Sequence, residues 1–536
     1  MTRPHFRCFS LLLMSVLLSA CGGGGGGGTS TPAAPVATLS PSSLDFGVQS
    51  PGVPSSARAI TLRNSGNASL ALSSPAITLS GTNAADFSQS SGCGSNLAAG
   101  ASCTIDVTFT ASSNGAKTAM LNVASNAAGS PATAALTGAG GDNAVALSID
   151  MGPLPTTNPT ANVLYTSVVF CTPGSVTDCR TVDHIQVDTG SFGLRVFKSA
   201  LEGTLPVAPA TPVVVPTPVN AASTANALFE CVQYADGYTW GSVVLVDATI
   251  GTRKLSNLAI QLTGATNYFG AVPAGCASAN PNNENSVPLF GANGILGVGG
   301  FIEDCGSGCA PTTPATSAPE GHYYQCPAGA ACTATQVTLA SQIQNPVHLL
   351  SQDNNGILIK LPALTAPGAV THDGVMLFGV NTQANNSLGS AAWYQLDPGY
   401  GTLTTVFGGT TLTYSIVDSG SNAYFFDSSL TVCSAGSFAP GFYCPAASTA
   451  ETATIRGFNN ASTSVSFTVD NADTLFQNHS TYAAFPNLGA STGGLSLLFG
   501  TFDWGLPFYL GRPVFVLFEG NPGPTGSGVT GPALAF

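Results

Sequence analysis

Ile185-Gln186-Val187-Asp188-Thr189-Gly190-Ser191 and Ser415-Ile416-Val417-Asp418-Ser419-Gly420-Ser421 decide the reading of this chain. Each is a largely apolar run ending in aspartate, followed by a hydroxyl residue, glycine and serine. One such tetrad is an ordinary turn whose side chains cap their own backbone. Two of them, each behind a strand pattern and in separate halves, predict a repeated device. Gly190 and Gly420 let each loop turn and let another loop come close. Ser191 and Ser421 are placed to bond the neighbouring carboxylates, while Thr189 and Ser419 can reach across to the opposite loop. If the halves face each other, Asp188 and Asp418 share one proton, because two adjacent carboxylates do not both ionise cheaply. The charged member is then a general base for a bound water, and the protonated member polarises a carbonyl. That chemistry needs no cofactor, metal or nucleophilic side chain.

The surrounding sequence is that of an all-β protein. Of 536 residues, 44% are hydrophobic and only 7% charged, with 63 glycines and 36 prolines in the balance. Long solvated helices want Glu, Lys and Arg; short strands and tight turns do not. Strand-like runs recur at Val163 to Phe170, Ser242 to Ile250, Gly356 to Leu361, Val375 to Val380, Thr402 to Val417 and Phe515 to Phe518. Leu205 to Ala222 reads as a surface loop.

Further residues carry a resemblance to the pepsin-like aspartic proteases over most of residues 160 to 520. Ile295-Leu296-Gly297 and Tyr509-Leu510-Gly511 resemble the two hydrophobic residues and glycine that this family places behind each aspartate loop. Tyr234-Ala235-Asp236-Gly237-Tyr238-Thr239-Trp240-Gly241 looks like its flap hairpin. Tyr234 lies nearest the flap tyrosine, with Tyr238 or Trp240 as other residues to cover the cleft. Gly374 to Asn381 is similar to the strand joining the lobes, and Pro513 to Phe518 to the closing strand. The resemblance implies a bilobal double-β-barrel unit, with an N-terminal lobe at 141–385 and a C-terminal lobe at 386–536. It implies an aspartic endopeptidase acting on peptide or protein, or a non-catalytic binding or adhesion protein of the same fold. Arg195 stands where the family carries apolar or tryptophan-bearing sequence, and is expected to depress a dyad pKa. The segment around residues 302–335 has no counterpart. The unit also resembles a bacterial group known only as a domain of unknown function.

Residues 38–140 form a separate module of short alternating runs divided by Ser, Gly, Asn and Pro clusters, the pattern of a β-sandwich. Its Phe46-Gly47 start, Leu62-Arg63-Asn64-Ser65-Gly66-Asn67 turn and Gly100-Ala101-Ser102-Cys103-Thr104-Ile105 run resemble immunoglobulin-like modules of the abnormal-spindle/hydin type.

Residues 1–20 have the basic, apolar and small-residue regions of a signal peptide, too short for a membrane span. Leu18-Ser19-Ala20-Cys21 looks like a lipobox, which implies a diacylated Cys21 anchored in a bilayer. Residues 21–37 follow as a tether opening on seven glycines, which cannot pack. Gly22 in place of a retention aspartate favours the outer membrane. Formal charge is −13, with 13 Lys and Arg and no basic run, which argues against a nucleic-acid partner. A monomer is expected.

Export also favours disulfides among the cysteines other than Cys8 and Cys21. Close spacing suggests Cys93 with Cys103, Cys171 with Cys179 and Cys433 with Cys444, leaving Cys231 for Cys276. Cys305, Cys309, Cys326 and Cys332 cluster too closely to assign; a four-thiolate zinc site with His322 nearby is the other reading. Gly489-Ala490-Ser491-Thr492-Gly493 matches the nucleophile-elbow pattern of serine hydrolases, but no histidine follows it and no strand-then-helix context surrounds it.

Overall fold

The computed structural model describes residues 32–202, 226–264, 272–277, 282–311, 322–327, 331–493 and 500–536. The export segment, Cys21 and the 205–222 loop lie outside them. The architecture is all-β, a two-lobed unit preceded by a two-sheet sandwich.

In the sandwich, period-2 alternation puts one face of each strand inward. Arg58–Asn64 buries Ile60 and Leu62, and Ser102–Phe109 buries Ile105, Val107 and Phe109. Four strands form one sheet and five the other, and they enclose a core around Phe46, Phe87 and Phe109. The module packs against the main unit: Gly141 N–H donates to Gln49 O (2.9 Å), and Ser50 Oγ donates to Ala144 O.

In the main unit, one 15-stranded sheet runs through both lobes, and a second, seven-stranded sheet builds the C-terminal lobe. The join is a run of antiparallel strands from distant parts of the chain: Ala144–Ile149, His372–Phe378, Gly356–Lys360, Val514–Leu517, Ala533–Ala535 and Trp393–Gln395. Strands buried on both faces need continuous apolar sequence, as in Gly294–Val298 and Val514–Leu517. One hydrophobic core extends from Val145, Val187 and Leu296 to Val417, Phe467, Trp504 and Val516. Asn162 adds a polar tie. Its Nδ2 donates to Asn422 O and Phe485 O (2.9 and 2.8 Å), and its Oδ1 accepts from Phe485 N (2.7 Å).

Two expectations change here. Thr402 to Val417 is not one strand but a hairpin, Leu403–Phe407 and Thr410–Val417. Gly408 and Gly409 turn it, both in the left-handed region that glycine enters freely. The cysteine-rich insertion, which had no place in the family pattern, adds the strand Tyr323–Pro327 to the edge of Asn226–Gln233. Among the described residues six disulfides form, and within the unassigned cluster they join Cys305 to Cys309 and Cys326 to Cys332. No helix among the described residues is long and apolar enough to cross a membrane.

Candidate active site

The strand Cys179–Asp188 ends on Asp188, and Thr410–Val417 stops one residue before Asp418. Both strands are held from behind by parallel neighbours. Gly294–Val298 pairs with the first, and Asp503–Trp504 with the second. The two loops meet at the boundary between lobes and bond each other reciprocally. Thr189 N donates to Ser419 Oγ (3.2 Å) and Ser419 N to Thr189 Oγ1 (3.0 Å). Ser419 Oγ donates to Val187 O (2.8 Å), and Thr189 Oγ1 lies 3.2 Å from Val417 O. Gln186 Nε2 adds a bond to Gly420 O (2.8 Å).

This grip leaves the aspartates in contact. Asp188 is 5% exposed and Asp418 8%, and a Cβ placed on Gly420 would lie 2.5 Å from Asp188 Oδ1 and 3.1 Å from Asp418 Oδ1, so the two carboxyls face each other at close range. Asp188 accepts from Gly190 N (2.7 Å) and Ser191 Oγ (2.5 Å); Asp418 accepts from Gly420 N (2.8 Å) and Ser421 Oγ (2.9 Å). Burial, then the charge of Asp188, push Asp418 well above the usual carboxylate range. The dyad therefore retains a proton as a unit.

Each glycine makes room for the opposite carboxyl. A Cβ on Gly190 would lie 2.8 Å from Asp418 Cγ, and one on Gly420 would lie 2.5 Å from Asp188 Oδ1. Gly420→Ala is therefore expected to lower unfolding free energy by about 1–3 kcal/mol, the usual range for overpacking. Denaturant titration reads this directly, and an unchanged midpoint would show that the loops can separate at little cost.

Arg195 pairs with acids outside the dyad. Its buried guanidinium bonds Glu230 Oε1 (2.6 Å), Asp304 Oδ2 (3.2 Å) and Phe192 O (2.6 Å), so its charge is taken up behind the loop. Glu230, Asp304 and His322 offer ligand atoms within 4.8 Å of one another, and the guanidinium already supplies the cation these acids face. Tyr234 sits at the turn of the hairpin Asn226–Gln233 and Tyr238–Ile250, with its ring 5.7 Å from Phe290 and its hydroxyl 3.5 Å from Thr239 Oγ1. Tyr238 and Trp240 do not cover a cleft. The added strand brings Tyr324 onto Trp240 (5.1 Å), opposite Phe229 (5.2 Å), and both residues are core.

The strand behind the second loop is Asp503–Trp504 followed by Gly505, and not the expected Tyr509-Leu510-Gly511. Tyr509 instead ends the 3-10 turn Leu506–Tyr509 and sets its hydroxyl 2.8 Å from Thr189 Oγ1. Asp503 is thus a site residue that sequence reasoning missed, and Tyr509 one that it placed on the wrong element. Asp503 does carry a signal: it is the only Asp, Glu, Lys or Arg between Asp473 and Arg512. Ser491 meets Asp427 Oδ1 (3.2 Å), and among the described residues no histidine bonds it. A cavity of about 440 Å³ between the sandwich and the N-terminal lobe is lined by residues including Arg58, Asp150, His184 and Asp373, and by neither dyad aspartate.

Residues 139–536 match the family described as Protein of unknown function (DUF3443). The chain belongs to that family. Among solved structures, this DUF3443 chain is similar to an aspartic proteinase from Irpex lacteus at 14% identity and a TM-score of 0.36, covering 73% of this chain and 96% of that one. It is also similar to the Vibrio cholerae VesB protease at 21% identity and a TM-score of 0.16, covering 19% of this chain and 31% of that one. No curated protein matches it.

Proposed function

We propose that the chain is an aspartic endopeptidase of the cell envelope, hydrolysing peptide bonds with a water activated by the Asp188–Asp418 dyad. One observation carries this reading: two buried aspartates from different lobes face each other, each against the opposite loop's glycine, inside a reciprocal set of Thr189 and Ser419 bonds. Nothing in packing alone favours two contacting acids, which disfavour each other's charge. Sharing one proton, the pair takes a proton from water while donating one to the scissile carbonyl oxygen. Collapse of the resulting tetrahedral intermediate breaks the C–N bond and returns a proton to the leaving amine. Tyr234, at the hairpin turn, is the residue for the substrate side.

In the same proposal, acylated Cys21 anchors the chain to the outer membrane, and residues 38–140 serve as an immunoglobulin-like spacer. The test is cleavage of a mixed peptide pool by the full-length chain between about pH 3 and 7, the range spanned by carboxyl titration. Asp188→Asn and Asp418→Asn are each expected to reduce the rate by roughly 10²–10⁴-fold, the scale of a lost acid or base. Cleavage persisting in the double variant would sink the reading; no cleavage by the parent at any pH favours a binding protein.

A further inference from the structure

We propose that Asp503 is a positioning residue for the dyad: its protonated carboxyl donates to Ser421 Oγ and thereby commits the Ser421 hydrogen to Asp418. This rests on the reading of Asp188 and Asp418 as the reacting pair. Ser421 Oγ lies 2.9 Å from Asp418 Oδ2 and 2.5 Å from Asp503 Oδ2. A hydroxyl has one hydrogen, so it can donate to only one of two carboxylate oxygens. The other contact sets lone pair against lone pair unless that carboxyl is itself the donor. Asp503 is the one suited to donate. It is 2% exposed, and its Oδ1 is buried without a hydrogen-bond partner. An orphaned carbonyl oxygen of a neutral acid is far less costly to bury than an orphaned carboxylate.

The pseudo-twofold relation of the lobes isolates this feature. Gln186, two residues before Asp188, pairs with Ile295; Ile416, two residues before Asp418, pairs with Asp503. A carboxyl therefore replaces a buried isoleucine behind the second serine only. Around Asp503, the strand Thr410–Val417 presents Ile416 and the antiparallel strand Tyr424–Phe425 presents Phe425. The charged and titratable groups that face it are Asp418 through Ser421, Asp188 from the other lobe, and Tyr509. No lysine, arginine or histidine pairs with it among the described residues. Burial first, and then the charge of Asp188, raise Asp503 to about 8 against the opposing Ser421 bond, so the proton is present wherever the dyad works.

The test compares Asp503→Asn, Asp503→Leu and the parent, each as the full-length chain. Asparagine keeps an N–H donor to Ser421 and cannot ionise; leucine has no donor. Asp503→Asn is expected to keep kcat within about threefold, with its alkaline limb moved to higher pH. Asp503→Leu is expected to lose about tenfold or more in kcat with KM little changed, the pattern of an interaction made in the transition state. Equal pH profiles and kcat in all three proteins would overturn the proposal. A second readout does not depend on cleavage: in protein carrying ¹³C-labelled aspartate, one carboxyl resonance should titrate near pH 8 and vanish in Asp503→Asn. If the parent cleaves nothing but that resonance is found, the protease reading fails and the protonated Asp503 stands. If no such resonance is lost in the variant, Asp503 is not the donor, whatever the activity.

Discussion

Arg195→Met is expected to remove about 3–5 kcal/mol of folding stability at neutral pH, the range for a buried ion pair that loses one partner. Arg195 is 2% exposed, and the acids it holds, Glu230 and Asp304, have side chains 0% and 2% exposed. Burial opposes charge on every member. Against that, Arg195 holds Glu230 well below the usual carboxylate range, while burial and the nearby Glu230 raise Asp304 to about 7. Without the guanidinium, two adjacent buried acids face each other with only His322 for compensation. The same arginine joins three segments: the strand Phe192–Phe197 after the first aspartate loop, the hairpin strand Asn226–Gln233, and the loop bearing Asp304. Denaturant unfolding should therefore show a large loss in Arg195→Met, and a partial recovery when Glu230→Gln and Asp304→Asn are added. A single variant as stable as the parent would mean the acids are neutral already.

Stability itself should fall as pH rises from about 5 to about 9. Asp503 moves from an ordinary 3.8 to about 8 and Asp304 to about 7, both raised first by burial. His322 moves from 6.5 to about 9: burial opposes its charge, but the Glu230 and Asp304 carboxyls, 3.4 and 3.5 Å from its Nε2, outweigh that. In each case the folded chain keeps a proton that the unfolded chain releases, so raising the pH favours unfolding. For the acids the loss begins above pH 4 and ends at their folded values; for His322 it runs from about 6.5 to 9. Each proton of difference contributes about 1.4 kcal/mol per pH unit, so the summed effect is on the order of 10 kcal/mol at most. Thermal melts across this range read it, and Asp503→Asn should flatten the slope. A melting temperature that rises toward pH 9 would contradict the assignment of these protons.

The pairing of the two aspartate loops was legible because their signature is local. Strand, aspartate, hydroxyl, glycine and serine are contiguous, and the repeat identifies itself at Asp188 and Asp418. Asp503 was not legible in the same way, because its role depends on which tripeptide ending in glycine lies parallel to Thr410–Val417. Tyr509-Leu510-Gly511 has the expected two hydrophobic residues and glycine, whereas Asp503-Trp504-Gly505, six residues earlier, puts an acid in the first place. The register of a parallel pair is set by packing, here by Trp504 stacked on Phe502 at 4.2 Å and bonded through Nε1 to Thr405 Oγ1 at 3.0 Å. Tyr238 and Trp240 misled for a related reason. A tyrosine and a tryptophan near a hairpin turn read as an exposed tip until the partner strand Tyr323–Pro327, more than eighty residues away, is known to cover them.

The strands that join the lobes have a mechanical consequence. Val514–Leu517 returns from the end of the chain to lie against Gly356–Lys360, while Ala533–Ala535 and Trp393–Gln395 continue the same sheet. A boundary sewn in this way works as a torsion bar and not as a door hinge. The halves can rock by twisting the common sheet, but they cannot part without unzipping its ladder. Any widening of the gap over Asp188 and Asp418 is then confined to a small shared twist or to loops outside this sheet. The two aspartates stay in register throughout.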